Sequence, residues 1–248
     1  MRLDGKTAVI TGAAGGFGEG MAKRFAEEGA NIVVADLKGD EANKVASEIG
    51  AQAVAIEVDV TRSQDNQAMA AAATINFGSL DIFVFNAGYT HPNQSMLDVD
   101  EISFDRVCDV NMKALFHASK TIVPIMEKQG GGNILATAST AGLRPRPGLV
   151  WYNASKAWVI NACKCMAVEL APMNIRVNSL CPVAGETGML ADFMGEDTPE
   201  IREKFKSVIP LGRFSQPRDM ANAALYLVSD EADFITGVAM EVDGGRCV

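Results

Sequence analysis

The stretch Thr7-Ala8-Val9-Ile10-Thr11-Gly12-Ala13-Ala14-Gly15-Gly16-Phe17-Gly18 passes from an apolar, β-branched run into a glycine-rich turn. Beyond it Met21, Phe25 and the small alanines fall on one helical face, and Gly29 ends the segment after about Glu28. Strand, glycine turn and helix in that order bring a backbone to where it can approach a pyrophosphate closely, because glycine has no Cβ to obstruct it. The spacing is Gly-x-x-x-Gly-x-Gly, which differs from the Gly-x-Gly-x-x-Gly of the common dinucleotide fingerprint.

The same grammar continues outward. Asn31–Asp36 reads as a second strand, Asp40–Ile49 as a helix and Gln52–Asp59 as a third strand, after which Thr61 or Ser63 is placed to cap the next helix. A fourth strand, Asp81–Phe85, runs into Asn86-Ala87-Gly88, and Asp100–Gln129 is a long helix with a break expected near Pro124. Gly130–Gly132 interrupts it. The fifth strand is at about Asn133–Ala136, the next helix at about Trp151–Ala171 and the sixth strand at about Ile175–Leu180. Residues 189–207 form a partly helical excursion, Arg218–Ser229 a helix and Val238–Val242 a last strand. Apolar strands separated by helices need both sheet faces covered. The expectation is an α/β, Rossmann-like, doubly wound parallel sheet in one domain, residues 1–248, with a substrate loop at about 187–210.

Composition narrows the function. A chain of 248 residues that is 48% hydrophobic can bury a substantial core. Its formal charge of −9 argues against an electrostatic footprint for nucleic acid or an anionic membrane. Strand-like sequence begins by Thr7, no apolar run approaches the ~18 residues of a membrane span, and a cytoplasmic protein is expected. The five cysteines are odd in number and lack CxxC spacing, which fits reduced thiols. Cys163 and Cys165 face different ways on a helix, and His91 and His117 stand apart, so no metal site is expected; His117 reads as structural.

Asp36 ends the second strand eighteen positions after Gly18, where a carboxylate can bond the adenosine ribose hydroxyls and repel a 2′-phosphate. Leu37 follows it, and no Arg or Lys lies in the glycine turn, so NAD is expected over NADP. At the other end of the chemistry, Tyr152 and Lys156 stand at i and i+4 on one helix face. A neighbouring cation favours phenolate, so Tyr152 is expected to take a proton from an alcohol while hydride leaves the same carbon, or to return it to a carbonyl. Lys156 is also placed to hold the nicotinamide ribose. Ser139, thirteen positions before Tyr152, is placed to orient the substrate oxygen.

Together these residues resemble the short-chain dehydrogenase/reductase family along the whole chain. Thr11-Gly12, Gly16-Phe17-Gly18, Asp59-Val60 and Asn86-Ala87-Gly88 look like its cofactor turn, adenine contact and central-sheet support. Ser139, Tyr152 and Lys156 match its catalytic positions in order and spacing. The resemblance implies that Asn111 is the fourth member, holding a water in a proton relay behind Lys156. It also implies that Pro182, Val183 and Thr187 hold the nicotinamide end, and that two long helices pair across subunits in a homotetramer. Val183 stands where many members have glycine, and Phe85 where many have a second asparagine.

The substrate is expected to be a secondary alcohol or ketone: a polyol, sugar or cyclic alcohol. A 3-oxoacyl thioester reductase and a catalytically silent NAD-binding redox sensor are the alternatives; Asp36 counts against the first, the complete tetrad against the second. Arg144 and Arg146 are candidates to meet an anionic substrate, although subunit contact or a solvated loop is the more economical reading. Tyr89, His91 and Asn93 are rim candidates, and Met189, Leu190, Phe193 and Met194 are either a cover over the substrate or ordinary core.

Overall fold

In the computed structural model, which describes residues 1–248, one sheet is built from β1 (Thr7–Thr11), β2 (Asn31–Asp36), β3 (Ala53–Glu57), β4 (Ile82–Phe85), β5 (Gly132–Thr137), β6 (Ile175–Pro182) and β7 (Ala239–Val242). All neighbours are parallel, in the order β3-β2-β1-β4-β5-β6-β7. The helices are α1 (Gly16–Glu27), α2 (Gly39–Ile49), α3 (Ser63–Phe77), α4 (Glu101–Cys108), α5 (Ala114–Gln129), α6 (Val150–Leu170), α7 (Leu190–Met194), α8 (Pro199–Lys206) and α9 (Pro217–Val228).

The strands are apolar on both faces because each face has its own helical cover. Val9, Val33, Phe83, Phe85 and Val177 face Met69 of α3, Leu115 and Ile122 of α5 and Val159 of α6. Ala8, Ile10, Ile32, Val34, Ile82 and Val84 face Met21 and Phe25 of α1, Val45 of α2 and Leu225 of α9. Adjacent strand residues therefore belong to opposite cores, as a two-residue period requires. Each large side chain buried in this way contributes about 2 kcal/mol. Phe85 belongs to the first core, so the departure at this position is a packing one.

Two local expectations are corrected. The long helix does not break at Pro124: α5 continues through it, with Pro124 on the exposed side where water can satisfy the carbonyl that proline leaves over. The irregularity is a π-helical turn at Asp109–Lys113, between α4 and α5. Neither Thr61 nor Ser63 caps α3, whose N-terminus lacks a side-chain cap. The Thr61 hydroxyl instead donates to Asp59 Oδ1 at 2.7 Å.

Candidate active site

β1 lies between β2 and β4, so the connections leaving the carboxyl ends of β1 and β4 diverge and open a crevice. Its floor is braced by Asn86. The Asn86 Nδ2 donates to the oxygens of Thr11 and Gly12, both at 3.1 Å, and its Oδ1 accepts from Thr137 Oγ1 at 3.0 Å, tying the ends of β1, β4 and β5 together. Thr11 Oγ1 accepts from the backbone N–H groups of Asn86 and Ala87 at 3.0 and 3.1 Å. Thr11 and Gly18 are buried beneath the crevice and do not line it.

Two cavities meet at Gly12, Ala87 and Gly88. One, of about 220 Å³, is lined by Asp36, Leu37, Asp59, Val60 and also Arg106, which lies 4.4 Å over the Tyr89 ring. The other, of about 290 Å³, takes in Gly16, Phe17, Ser139, Tyr152, Lys156, Pro182, Val183 and Thr187. Between them α1 begins without a side-chain cap, leaving first-turn N–H groups free to meet an anion. The glycines here are spatial necessities. Gly12 and Gly16 have φ of 64° and 56°, and a Cβ on Gly18 would overlap Gly12 O. Asp36 is oriented by backbone N–H groups: Ala14 donates to Oδ2 and Lys38 to Oδ1, each at 3.0 Å. A groove with a glycine-walled, N–H-rich middle and a fixed carboxylate at one end fits a dinucleotide lacking a 2′-phosphate.

The reactive groups stand at the other end. α6 presents Tyr152 and Lys156 on one face, with the ammonium 5.8 Å from the phenol ring centroid. Lys156 Nζ donates to Thr137 O at 2.8 Å, so the clamp that Asn86 makes with Thr137 also seats the lysine. Ser139 lies just past β5 and opens a single 3-10 turn, its Oγ accepting from Ala141 N at 3.0 Å. All three side chains are buried. In the protein by itself burial pushes Tyr152 up to about 12, and the groups that pull it down, less strongly, are Ser139 and then Arg146 rather than Lys156. Burial also lowers Lys156 to about 8.

Asn111 sits in the π-helical turn and is fully buried. Its Oδ1 accepts from Tyr89 N at 2.8 Å, while Nδ2 donates to Tyr89 O and Ser155 Oγ, both at 2.9 Å. A Cβ on Gly88 would lie 3.4 Å from Lys156 Nζ and 3.5 Å from Asn111 Oδ1, so this glycine keeps a space open between them.

The rim expectation divides for the segment after β4, where Tyr89 lines the smaller cavity. His91 is fully buried, with Nδ1 2.8 Å from Pro92 O, and neither it, Tyr89 nor Asn93 lines the larger cavity. Asn93 instead holds the excursion, Nδ2 donating to Phe193 O at 3.2 Å. The excursion itself divides. Met189 and Phe193 face the cavity, with the Phe193 and Tyr152 rings 5.2 Å apart, while Leu190 and Met194 pack with Ile209 and Phe214 in a small core that Val183 joins. Sequence reasoning missed Arg106, Phe205, Val208 and Arg246, which the fold carries to the cavities. They sit on helices, in the turn after α8 or in the tail, where no local motif marks them.

The family model described as "Enoyl-(Acyl carrier protein) reductase" matches residues 12–246. The chain is 46% identical to 4-formylbenzenesulfonate dehydrogenase TsaC1/TsaC2 of Comamonas testosteroni, covering 99% of each. It is 40% identical to the 7alpha-hydroxysteroid dehydrogenase of Escherichia coli (strain K12), covering 99% of this chain and 95% of that one. Among solved structures, a 3-ketoacyl-(acyl-carrier-protein) reductase from Brucella melitensis complexed with NADH superposes with a TM-score of 0.94 at 46% identity, covering 99% of this chain and 100% of the other. A 7 alpha-hydroxysteroid dehydrogenase complexed with NADH and 7-oxo glycochenodeoxycholic acid gives 0.92 at 40% identity, covering 98% and 95%.

Proposed function

The chain belongs to the short-chain dehydrogenase/reductase family, and from that premise we propose how its crevice divides the work. The protein is an NAD-dependent oxidoreductase that moves a hydride between the nicotinamide and a secondary alcohol or ketone. The observation that carries this reading is the buried trio of Tyr152, Ser139 and Lys156 on the wall of a cavity continuous with the glycine turn and Asp36. NAD, when bound, supplies the hydride acceptor and, in its oxidised form, a positive charge near the phenol.

Asp36 and Leu37 hold the adenosine end together with Asp59 and Val60; Gly12, Gly16, Phe17 and the α1 N-terminus hold the pyrophosphate; Pro182, Val183 and Thr187 hold the nicotinamide. Ser139 orients the substrate oxygen. Tyr152 takes the hydroxyl proton in oxidation and gives one to the carbonyl oxygen in reduction. Lys156, seated on Thr137, steadies the phenolate and the ribose. Asn111 works across the gap that Gly88 leaves open, where a water completes the proton path toward Lys156. Five thiols without a disulfide agree with a cytoplasmic setting. A homotetramer is supported by exposed apolar side chains on α4, α5 and α6, among them Ile102, Phe116 and Val168.

The test is a screen of NAD reduction over polyols, sugars and cyclic alcohols, with a 3-oxoacyl thioester run in reverse using NADH and NADPH. Alcohol-dependent NADH formation is expected, with kcat/KM for NAD at least about tenfold above that for NADP because the Asp36 carboxylate opposes a 2′-phosphate. Preference for NADPH and the thioester would replace this reading with the reductase.

A further inference from the structure

The larger cavity carries Arg144, Arg146, Lys156 and Arg246 on its walls and no Asp or Glu, in a chain whose formal net charge is −9. Lys156 is committed to Thr137 O. Arg144 is exposed and donates to the backbone oxygens of Arg246 and Val248, at 2.7 and 3.4 Å. Arg146 and Arg246 are different. Neither guanidinium makes an ion pair or a hydrogen bond within the protein, whereas Arg144 is held by backbone oxygens and Arg176, which also lacks an ion pair, donates to Ile235 O and Ser229 O. The backbone of Arg146 is fixed to α6 by Asn153, whose Nδ2 donates to Arg146 O at 2.8 Å next to Tyr152. Its guanidinium lies 4.6 Å over the Phe205 ring. Burial lowers the Arg146 pKa, and repulsion from Arg246 adds to the effect, so two guanidiniums share this wall without a counter-ion from the protein.

A partly desolvated cation without a partner is costly, and two near each other more so. Such a pair is worth keeping where a ligand brings the missing charge, and guanidinium is the group that matches a planar or tripodal oxyanion with paired N–H donors. The same cavity is lined by Phe193, Phe205, Met189 and Val208, with Phe193 against the phenol and Phe205 against Arg146. We infer that the substrate is an anionic hydroxy or oxo compound whose carboxylate or sulfonate is held by Arg146 and Arg246, with an apolar ring against Phe193 and Phe205 and the reacting carbon at Tyr152. This assignment rests on the dehydrogenase reading above and names its substrate class. Arg144, bound to backbone oxygens at the surface, keeps the role of a loop tether.

The test titrates the enzyme–NAD complex with benzoate, benzenesulfonate, benzamide and coenzyme A by calorimetry. In parallel, NADH formation is followed from phenylethanol carrying a ring carboxylate and from its carboxamide counterpart. Benzoate and benzenesulfonate are expected to bind at least about tenfold more tightly than benzamide, with a matching kcat/KM preference for the carboxylate alcohol. Arg146→Gln and Arg246→Gln should each bring that ratio toward one, while Lys128→Gln, on a remote exposed position, should leave it. Equal binding of benzoate and benzamide, no binding of either acid, or a ratio that survives both substitutions overturns the assignment. So does displacement by coenzyme A but not benzoate, which would assign the arginines to phosphates of a thioester carrier. Selective acid binding without NADH formation from any alcohol keeps the anion site and removes the dehydrogenase reading. Equal turnover of the two alcohols does the reverse.

Discussion

Tyr152 is a neutral phenol in the protein by itself, because burial pushes it up to about 12. The sign of its pH dependence follows. Oxidation uses the phenolate, so at saturating NAD the kcat/KM for an alcohol is expected to rise with pH, by about tenfold per unit below the operative pKa. Ketone reduction uses the phenol and should stay flat across the neutral range before falling. Arg146 pulls Tyr152 down, so Arg146→Gln should move the oxidation limb to higher pH. Tyr152→Phe should abolish turnover while NADH still binds, and unchanged turnover in that variant would sink the mechanism. The pair Tyr152 and Lys156 is legible in sequence because a helix converts a four-residue interval into one face. Arg246 is not, since it reaches the cavity through the return of the tail past Arg144, a separation of about a hundred positions that no local period encodes.

At the scale of elements, the most informative departure is the π-helical turn between α4 and α5. Sequence reasoning marks Pro124 because proline removes a donor, yet proline on an exposed face costs a helix less than it does at a buried one. The turn at Asp109–Lys113 carries no such mark, because it arises from tertiary bonds: Asn111 is held by Tyr89 and Ser155. Short π-helical turns inside α-helices are often found at functional sites. Gly88 completes this local arrangement. Gly88→Ala would place a methyl group between Lys156 Nζ and Asn111 Oδ1, at 3.4 and 3.5 Å. We expect a several-fold or greater loss of kcat with little change in thermal midpoint. Normal kcat in this variant would show that the space between Lys156 and Asn111 takes no part in turnover.

For the whole molecule, the alternation of strands and helices is enough to predict a doubly wound sheet, since apolar strands with two faces leave few other solutions. Periodicity does not show how loops distant in sequence converge, and the cavity walls depend on that convergence. The exposed apolar groups on α4, α5 and α6 have a consequence at the same scale: Ile102 and Val168 are 82% and 81% exposed. Light scattering is expected to return about four chains per particle, and a monomer would refute the pairing of these helices. The excursion between β6 and α9 has a different consequence. With Leu190, Met194, Ile209 and Phe214 packed on one another, it carries its own anchor apart from the two sheet cores. Such a cassette can be exchanged without disturbing the sheet cores, and it touches the proton chemistry through Phe193 on the Tyr152 ring. Substrate choice can thus be exchanged one loop at a time, while the sheet and the α6 helix that bears Tyr152 serve as a common chassis.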